Sequence, residues 1–154
     1  LAELGVDMKI DIDSITIHGG LDNLHPIDIK TLPYPGFATD IQQPLTALLT
    51  QAQGQSIVTE TIYTERFKHC FELEKMGAKI NVMTPSSFIN GPTPLSGAEV
   101  SATDLRCGAC LVIAGLIADG VTTIRNIYHI ERGYEHIVEK LTAIGAQIWR
   151  ETFD

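Results

Sequence analysis

Three residues of this chain combine a reactive side chain with a position where that side chain can meet a ligand. Asp40 lies where the Pro- and Gly-rich segment 32–37 meets a predicted helix, so its carboxylate can point into a cleft and accept a proton. Arg106 lies one turn into a second predicted helix, and Arg132 stands beside Gly133 at a predicted strand-to-helix turn. Because the guanidinium group offers a planar fork of donors, arginines at such positions can hold a carboxylate or a phosphate.

Each of these residues also has an ordinary structural role open to it. Asp40 could be a first-turn residue that the helix dipole favours. Arg106 could form an internal ion pair with Asp104, and Arg132 could be a solvated side chain paired with a neighbouring glutamate. Residue type and position alone leave both interpretations open.

The segment Cys107-Gly108-Ala109-Cys110 invites a metal or redox interpretation. Zinc requires four ligands, and neither a second cysteine pair nor a histidine pair at ligand spacing accompanies this segment. The segment falls in an apolar predicted helix, where free cysteine packs as a small hydrophobe. We therefore predict that these cysteines belong to the core, and that the protein has no metal site and no cofactor.

Composition limits the class of protein and of partner. The chain has 154 residues, of which 44% are hydrophobic and 19% charged, which is typical of a globular domain with its own core. Its net charge of -8 argues against nucleic acid, because binding a phosphate backbone needs clustered lysines and arginines. Three cysteines without a disulfide pattern, no signal peptide and no apolar run that could span a bilayer predict a cytoplasmic protein without a membrane partner.

The chain repeats itself with a period of roughly 65–72 residues. The segment Leu-Glu-Lys-Met-Gly-Ala-Lys-Ile at 73–80 recurs as Leu-Thr-Ala-Ile-Gly-Ala-Gln-Ile at 141–148, and a third copy opens the chain at 1–8. This period exceeds that of solenoid repeats, so each unit can hold several strands and helices. Two further pairs of segments match: Thr39-Asp40-Ile41 with Thr103-Asp104-Leu105, and Ile62-Tyr63 followed by Arg66 with Ile127-Tyr128 followed by Arg132.

The repeat predicts three units within one domain, cut from a larger protein. We expect the end of a first unit and a linking loop at 1–35, a second unit at 36–100 and a truncated third unit at 101–154. Within the first unit, alternation over 9–18 predicts a hairpin with one apolar face, and a looser second hairpin is expected over 80–90.

Helix signals follow the loop of each full unit. Thr39 and Gln42 form a predicted capping box, Pro44 lies in the early turns, and Gly54 is a plausible stop. The matching helix, over 103–120, is apolar nearly all round, so it should be buried and surrounded by sheet. The remaining expected elements are strands at 56–59, 122–124 and 147–150 and helices at 67–75 and 134–144.

Five motifs occur in order along the chain: Pro33-Tyr34-Pro35-Gly36-Phe37-Ala38-Thr39-Asp40, Thr59-Glu60-Thr61-Ile62-Tyr63 with Arg66-Phe67, Leu95-Ser96-Gly97-Ala98, Ala102-Thr103-Asp104-Leu105-Arg106 and Ile127-Tyr128-His129-Ile130-Glu131-Arg132-Gly133-Tyr134. Together they resemble the UDP-N-acetylglucosamine enolpyruvyl transferases (UDP-N-acetylglucosamine 1-carboxyvinyltransferases), from Leu1 to about Arg150. The resemblance implies an α/β fold, the inside-out α/β barrel of repeated βαβαββ units around parallel buried helices. This chain would be the C-terminal part of one such domain.

The resemblance also implies a reaction. The family transfers enolpyruvyl from phosphoenolpyruvate to the 3-hydroxyl of UDP-N-acetylglucosamine, the first committed step of peptidoglycan synthesis, and releases phosphate through a tetrahedral intermediate. By resemblance Asp40 contacts the sugar hydroxyl and acts as base, Arg132 contacts phosphoenolpyruvate, and Arg106 is an active-site arginine. The backbone at Ile62 helps to hold the uridine part of the sugar nucleotide, although an ordinary strand residue is the alternative there.

The resemblance further implies an incomplete site. The cysteine loop of the family lies outside this sequence, so the partners expected are the two small-molecule substrates and the remainder of the same enzyme. We expect the isolated chain to be inactive and to self-associate or lose stability.

Two other functions remain open on the sequence. One is a 5-enolpyruvylshikimate-3-phosphate synthase-like enzyme, which shares the fold and phosphoenolpyruvate, although the first and last motifs favour the sugar-nucleotide enzyme. The other is a noncatalytic repeat module that binds a protein. In that module Asp40, Arg106 and Arg132 would be scattered over the surface.

Overall fold

Strands and helices alternate along the chain in the computed structural model, which describes residues 1–20 and 22–152. In chain order they are a 3₁₀ helix (Ala2–Leu4), β1 (Asp7–Ile10), β2 (Ile15–His18), β3 (Asp28–Lys30), α1 (Thr39–Leu49), β4 (Gly54–Thr59), α2 (Lys68–Lys75), β5 (Lys79–Met83), β6 (Ser86–Gly91), β7 (Glu99–Ser101), α3 (Leu105–Ile117), β8 (Thr123–Arg125), α4 (Tyr128–Glu131) and α5 (Ile137–Ala143).

Two strand–helix–strand units with the same pairing lie at the centre of the fold. β3 pairs in parallel with β4 across α1, and β7 pairs in parallel with β8 across α3. β4 continues into a mixed sheet of order β3-β4-β6-β5, in which β5 and β6 form the second predicted hairpin. The first predicted hairpin is also confirmed, as β1 paired with β2.

The two central helices, α1 and α3, pack chiefly against each other. The sequence of α3 is apolar, and its side chains from Cys107 to Val112 are all buried, so the prediction of a buried helix is confirmed. Cys107 and Cys110 of α3 and Cys70 of α2 are free thiols, and all three are buried in the same hydrophobic cluster. The cysteines therefore belong to the core, as predicted.

The repeat is also visible in the backbone. Gly5, Gly77 and Gly145, which occupy the same place in the three copies, all adopt positive φ, at 83°, 97° and 102°. Glycine takes this left-handed conformation without the strain that a Cβ would add, and it commonly ends a helix there. Each copy therefore ends a helix and reverses the chain in the same way.

The start of α1 differs from its prediction. The capping box is wrong, because the N-cap residue is Ala38 and the hydroxyl of Thr39 donates to Glu60 instead. Pro44 is the sixth helical residue, so it removes the bond that the carbonyl of Asp40 would otherwise accept. Gly54 is not the stop either, since α1 ends at Leu49.

The third unit is less regular than expected. The helix predicted over 134–144 is shorter, and a four-residue helix, α4, precedes it. The strand predicted at 147–150 is wrong, because this segment has no regular structure and pairs with no strand in the described part of the chain. A strand needs a hydrogen-bonded neighbour, which a match in sequence alone does not supply.

Candidate active site

An exposed carboxylate lies between two arginines at the start of the central helices. Asp40 is the second residue of α1, and its side chain is 64% exposed. Its Oδ1 lies 2.5 Å from Nε of Arg106, the second residue of α3, and 3.8 Å from Nη1 of Arg66, which precedes α2. The hydrogen bond to Asp40 is the main cause of a raised pKa for Arg106. The packing of α1 against α3 thus brings together two residues that the sequence analysis selected.

Arg106 does not form the internal ion pair with Asp104 that was its alternative. Asp104 instead caps α3, accepting hydrogen bonds from the backbone N–H groups of Arg106 at 2.8 Å and Cys107 at 3.1 Å. Burial acts to raise the pKa of Asp104, but these bonds and the nearby guanidinium of Arg106 outweigh it and lower that pKa. The carboxylate fixes the start of α3, which leaves the side chain of Arg106 to Asp40.

Arg66 is the site residue that the sequence analysis missed. Its Nη1 donates to the hydroxyl of Thr39 at 3.0 Å, and its guanidinium carbon lies 4.0 Å from the centre of the Tyr63 ring. These contacts hold the side chain, which is only 18% exposed, beside Asp40. The internal repeat carried the signal, because Arg66 is the counterpart of Arg132 in the second unit.

Arg132 is not brought into contact with Asp40 or Arg106. It follows α4 and is exposed, and its backbone N–H donates to the carbonyl of Tyr128 at 3.3 Å. Its guanidinium forms no hydrogen bond or ion pair with any residue within the described ranges, including both neighbouring glutamates. The next residue, Gly133, lies against Leu105 so closely that a Cβ would come within 2.7 Å of that side chain. Arg132 therefore lies near the start of α3 with its guanidinium unengaged.

Ile62 lies in the loop between β4 and α2 and is 38% exposed. Its N–H donates to Oε1 of Glu60 at 2.8 Å, and the N–H of Tyr63 donates to the same oxygen at 3.0 Å. The N–H of Ile62 is therefore engaged within the protein. A backbone contact with a nucleotide would have to use the carbonyl group.

A cavity of about 290 Å³, lined by residues with polar side chains, opens beside Arg66. Gln43 of α1 is almost fully buried at its wall, and its Oε1 has no hydrogen-bond partner among the described residues. The cavity therefore offers an unused acceptor beside a cation, a suitable surface for a polar ligand. Its lining residues are Gln43, Tyr63, Glu65, Arg66, Lys68, Thr103 and Asp104.

The three cysteine thiols are free and buried. Burial raises the pKa of Cys70 to about 12, and it also raises the pKa values of Cys107 and Cys110, so these thiols stay protonated. Residues 1–20 and 22–152 contain no group of three His, Cys, Asp or Glu side chains that could hold a metal ion. Over the same ranges, no helix is both long and apolar enough to cross a membrane.

The family follows from a comparison of the sequence with family models. The model of EPSP synthase (3-phosphoshikimate 1-carboxyvinyltransferase) matches residues 1–141. The chain belongs to this family.

Curated relatives place this EPSP synthase family member near one enzyme in particular. UDP-N-acetylglucosamine 1-carboxyvinyltransferase 2 of Bacillus subtilis (strain 168) is 56% identical over 151 residues, and the protein of that name from Listeria monocytogenes serovar 1/2a is 58% identical over 152 residues. These alignments cover 98% and 99% of this chain but 35% and 36% of the relatives. The resemblance found in the sequence is thus confirmed, and the chain spans about a third of the length of these relatives.

Solved structures show the same fold. The enolpyruvyl transferase NikO from Streptomyces tendae matches with a TM-score of 0.91 and 33% identity, over 99% of this chain and 35% of that one. EPSP synthase from Acinetobacter baumannii matches with a TM-score of 0.68 and 22% identity, over 97% of this chain and 35% of that one, which shows the fold alone. The EPSP synthase family member described here is therefore a mixed α/β protein of enolpyruvyl transferase fold.

Proposed function

We propose that this chain forms part of a UDP-N-acetylglucosamine enolpyruvyl transferase, which acts in the cytoplasm at the first committed step of peptidoglycan synthesis. The observation that carries the proposal is the position of Asp40, an exposed carboxylate 2.5 Å from Arg106 and 3.8 Å from Arg66. This arrangement combines a carboxylate that can act as base with two guanidinium groups that can hold the anionic phosphoenolpyruvate. The identity of 56–58% to enzymes of that name supports the choice of reaction.

In the proposed reaction Asp40 removes the proton from the 3-hydroxyl of the sugar as its oxygen attacks phosphoenolpyruvate. Without ligand, Oδ1 of Asp40 accepts a hydrogen bond from Nε of Arg106, so this oxygen is already engaged. Phosphoenolpyruvate brings a carboxylate and a phosphate that compete for the guanidinium groups. Binding of phosphoenolpyruvate would therefore free Oδ1 of Asp40 to accept the hydroxyl proton. The sugar oxygen bonds to C2 of phosphoenolpyruvate while the electrons of its double bond take up a proton at C3, which gives the tetrahedral intermediate. Loss of a proton from C3 then re-forms the double bond and breaks the bond to phosphate, which leaves.

The other candidate residues take roles at the edge of this centre. Arg132, whose guanidinium is unengaged, contacts phosphoenolpyruvate, and the backbone carbonyl at Ile62 contacts the uridine part. The remainder of the enzyme supplies the rest of the site, and the complete domain is an inside-out α/β barrel. Division of this chain into units at 1–35, 36–100 and 101–154 belongs to the same proposal.

A 5-enolpyruvylshikimate-3-phosphate synthase-like activity is the second candidate. The description of the matching family model and the fold of the Acinetobacter baumannii enzyme favour it. Against it, that structure shares only 22% identity with this chain, whereas the sugar-nucleotide enzymes share 56–58%. A noncatalytic module is disfavoured because Asp40 and Arg106 converge.

The decisive experiment uses the full-length protein that carries this chain. Phosphate release from phosphoenolpyruvate is measured with UDP-N-acetylglucosamine and, separately, with shikimate 3-phosphate as acceptor. Turnover with the sugar nucleotide alone supports the proposal. Turnover with shikimate 3-phosphate alone transfers the assignment to the second candidate, and absence of turnover with both overturns the enzymatic function.

A further inference from the structure

A second carboxylate, Glu60, lies fully buried behind the candidate site. Its Oε1 accepts from the hydroxyl of Thr31 at 2.7 Å and from the N–H groups of Ile62 and Tyr63. Its Oε2 accepts from the hydroxyl of Thr39 at 2.7 Å. Burial acts to raise the pKa of Glu60, but these four donors outweigh it and lower that pKa, so Glu60 is a buried anion that only accepts.

The bond from Thr39 to Glu60 determines what the Thr39 oxygen can do next. A hydroxyl has one proton, and Thr39 gives it to Glu60. The oxygen must therefore present a lone pair elsewhere, and Nη1 of Arg66 donates to it at 3.0 Å. The same Nη1 lies 3.8 Å from Oδ1 of Asp40.

We propose that Glu60 is a positioning residue that aims the guanidinium of Arg66 at Asp40 through the hydroxyl of Thr39. The inference rests on the proposed function, since it assigns a role in the same site. Glu60 also holds the N–H groups of Ile62 and Tyr63, and the ring of Tyr63 lies against Arg66. One buried carboxylate thus ties the start of α1 to the loop that carries Arg66.

The charge and the acceptor capacity of Glu60 are both needed for this role. In Glu60→Gln the amide oxygen would face the three donors at Oε1, and the NH₂ group would face Thr39. The Thr39 proton then has no acceptor in that direction. The proton can then take either of the two directions left to it, one of which faces the N–H of Arg66, so the lone pair that Arg66 uses is no longer fixed in one direction.

Two isosteric variants separate positioning from a merely structural role. Thr39→Val removes the link from Glu60 to Arg66. Thr31→Val removes another donor to the same carboxylate and also the acceptor of the Thr61 N–H at 2.8 Å, but leaves Arg66 bonded to Thr39. Thr31→Val should therefore lower stability at least as much as Thr39→Val, while Thr39→Ser keeps the hydroxyl and rescues the link.

The experiment measures these variants in the full-length protein by two independent methods. Side-chain ¹⁵N NMR, with the Arg66 signal assigned by its loss in Arg66→Lys, reports how fast the guanidinium rotates. Steady-state kinetics reports kcat and the KM for phosphoenolpyruvate. We expect Thr39→Val and Glu60→Gln to speed the rotation and to lower kcat/KM by at least about tenfold, the factor for one hydrogen bond to a charged group. Thr31→Val and Thr39→Ser should leave both near wild type.

The outcomes distinguish this inference from the proposed function. Equal losses in Thr31→Val and Thr39→Val, in proportion to their stability, would show that Glu60 is only structural and overturn the inference. A wild-type protein without turnover overturns the proposed function, and the rotation of Arg66 in the same four variants still decides whether Glu60 positions it.

Discussion

At the scale of single residues, the site is defined by an asymmetry of exposure. The carboxylate of Asp40 is 64% exposed, whereas the side chains of Arg106 and Arg66 are 31% and 18% exposed. The cations are thus held by the protein, and the group that would exchange a proton faces solvent. Opposite exposure would be expected if the arginines were surface partners of a helix-start aspartate.

Replacement of Asp40 tests the proposed base. In the full-length protein, Asp40→Asn should keep the fold, since asparagine still accepts a hydrogen bond from Arg106. Turnover should fall by about 10²–10⁴, the usual contribution of a positioned base. Phosphate release and circular dichroism measure the two properties. Asp13→Asn, at an exposed position between β1 and β2, is the matched control, and near-normal turnover of Asp40→Asn would leave Asp40 as a helix-start residue.

Replacement of Arg132 tests the proposed anion contact. Arg132→Lys keeps the charge but loses the planar fork, so kcat should fall and the KM for phosphoenolpyruvate should rise in the full-length protein. Arg150→Lys is the control, because Arg150 is an exposed arginine already paired with Glu131 at 2.9 Å. If Arg132→Lys had the kinetics of Arg150→Lys, Arg132 would be a surface cation without a role in binding.

At the scale of elements, the three helices that surround the site differ in what they bury. α3 buries apolar side chains and thiols, and α2 buries a thiol and a leucine and, in addition, His69, which is fully inaccessible. Burial lowers the pKa of His69 to about 3, and the charge of Asp104 offsets only part of that effect. Burial therefore keeps the His69 side chain of α2 neutral in the folded protein.

This burial predicts how stability depends on pH. Below the ordinary histidine value of 6.5 the unfolded chain binds a proton that the folded chain excludes, so the free energy of unfolding falls as the pH falls. One proton corresponds to a slope of about 1.4 kcal/mol per pH unit. Denaturant unfolding between pH 6.5 and 4.5 measures this slope. Because 4.5 is the ordinary pKa of glutamate, carboxylates contribute at the lower end, and comparison with a variant that lacks His69 removes that contribution.

The variant His69→Leu isolates the effect. Nδ1 of His69 has no partner among the described residues, and Nε2 contacts only the Sγ of Cys70, at 3.6 Å, so leucine removes the titration at the cost of one weak hydrogen bond. Over this pH range the free energy of unfolding of His69→Leu should change less steeply with pH, by the contribution of one proton. His18→Leu, at an exposed position on β2, is the control, and equal slopes in wild type and His69→Leu would contradict the assignment.

At the scale of the whole molecule, the hairpin of β1 and β2 leaves its apolar face uncovered. Ile10 pairs with Ile15 across the strands and Met8 with Ile17, and the three isoleucines are 67%, 64% and 55% exposed. In contrast, the hairpin of β5 and β6 buries Ile80 and Ile89. Exposed apolar surface next to a free strand edge favours association.

We therefore expect the chain as it stands to self-associate, or to unfold at lower denaturant than the full-length protein, and to show no transferase activity. Sedimentation measures the self-association. The double variant Ile15→Thr/Ile17→Thr should increase the monomer, while Thr16→Ser, on the opposite face, should not. A stable wild-type monomer would contradict the association, and turnover of both substrates by this chain would contradict the proposal of a partial site.

Local elements were largely predictable because their signals act within a few residues. Alternation located both hairpins, apolar character located the buried helix α3, and the three repeat glycines marked the same reversal of the chain. Prediction failed where a side chain could bond either to a neighbouring backbone group or to a residue far away in the chain. Thr39 fits a capping box, but its hydroxyl bonds to Glu60, 21 residues away.

Sequence by itself determined the family and the repeat, and it selected two members of the candidate site, Asp40 and Arg106. Only the tertiary structure decided their partners. Asp40 and Arg106 are 66 residues apart in the chain, and they meet because α1 packs against α3. The addition of Arg66 and the buried Glu60 depends on the hydrogen bonds that join both residues to Thr39 at the start of α1. A charged side chain pairs with whatever the fold brings within a few ångströms, and residue type and spacing do not encode that distance.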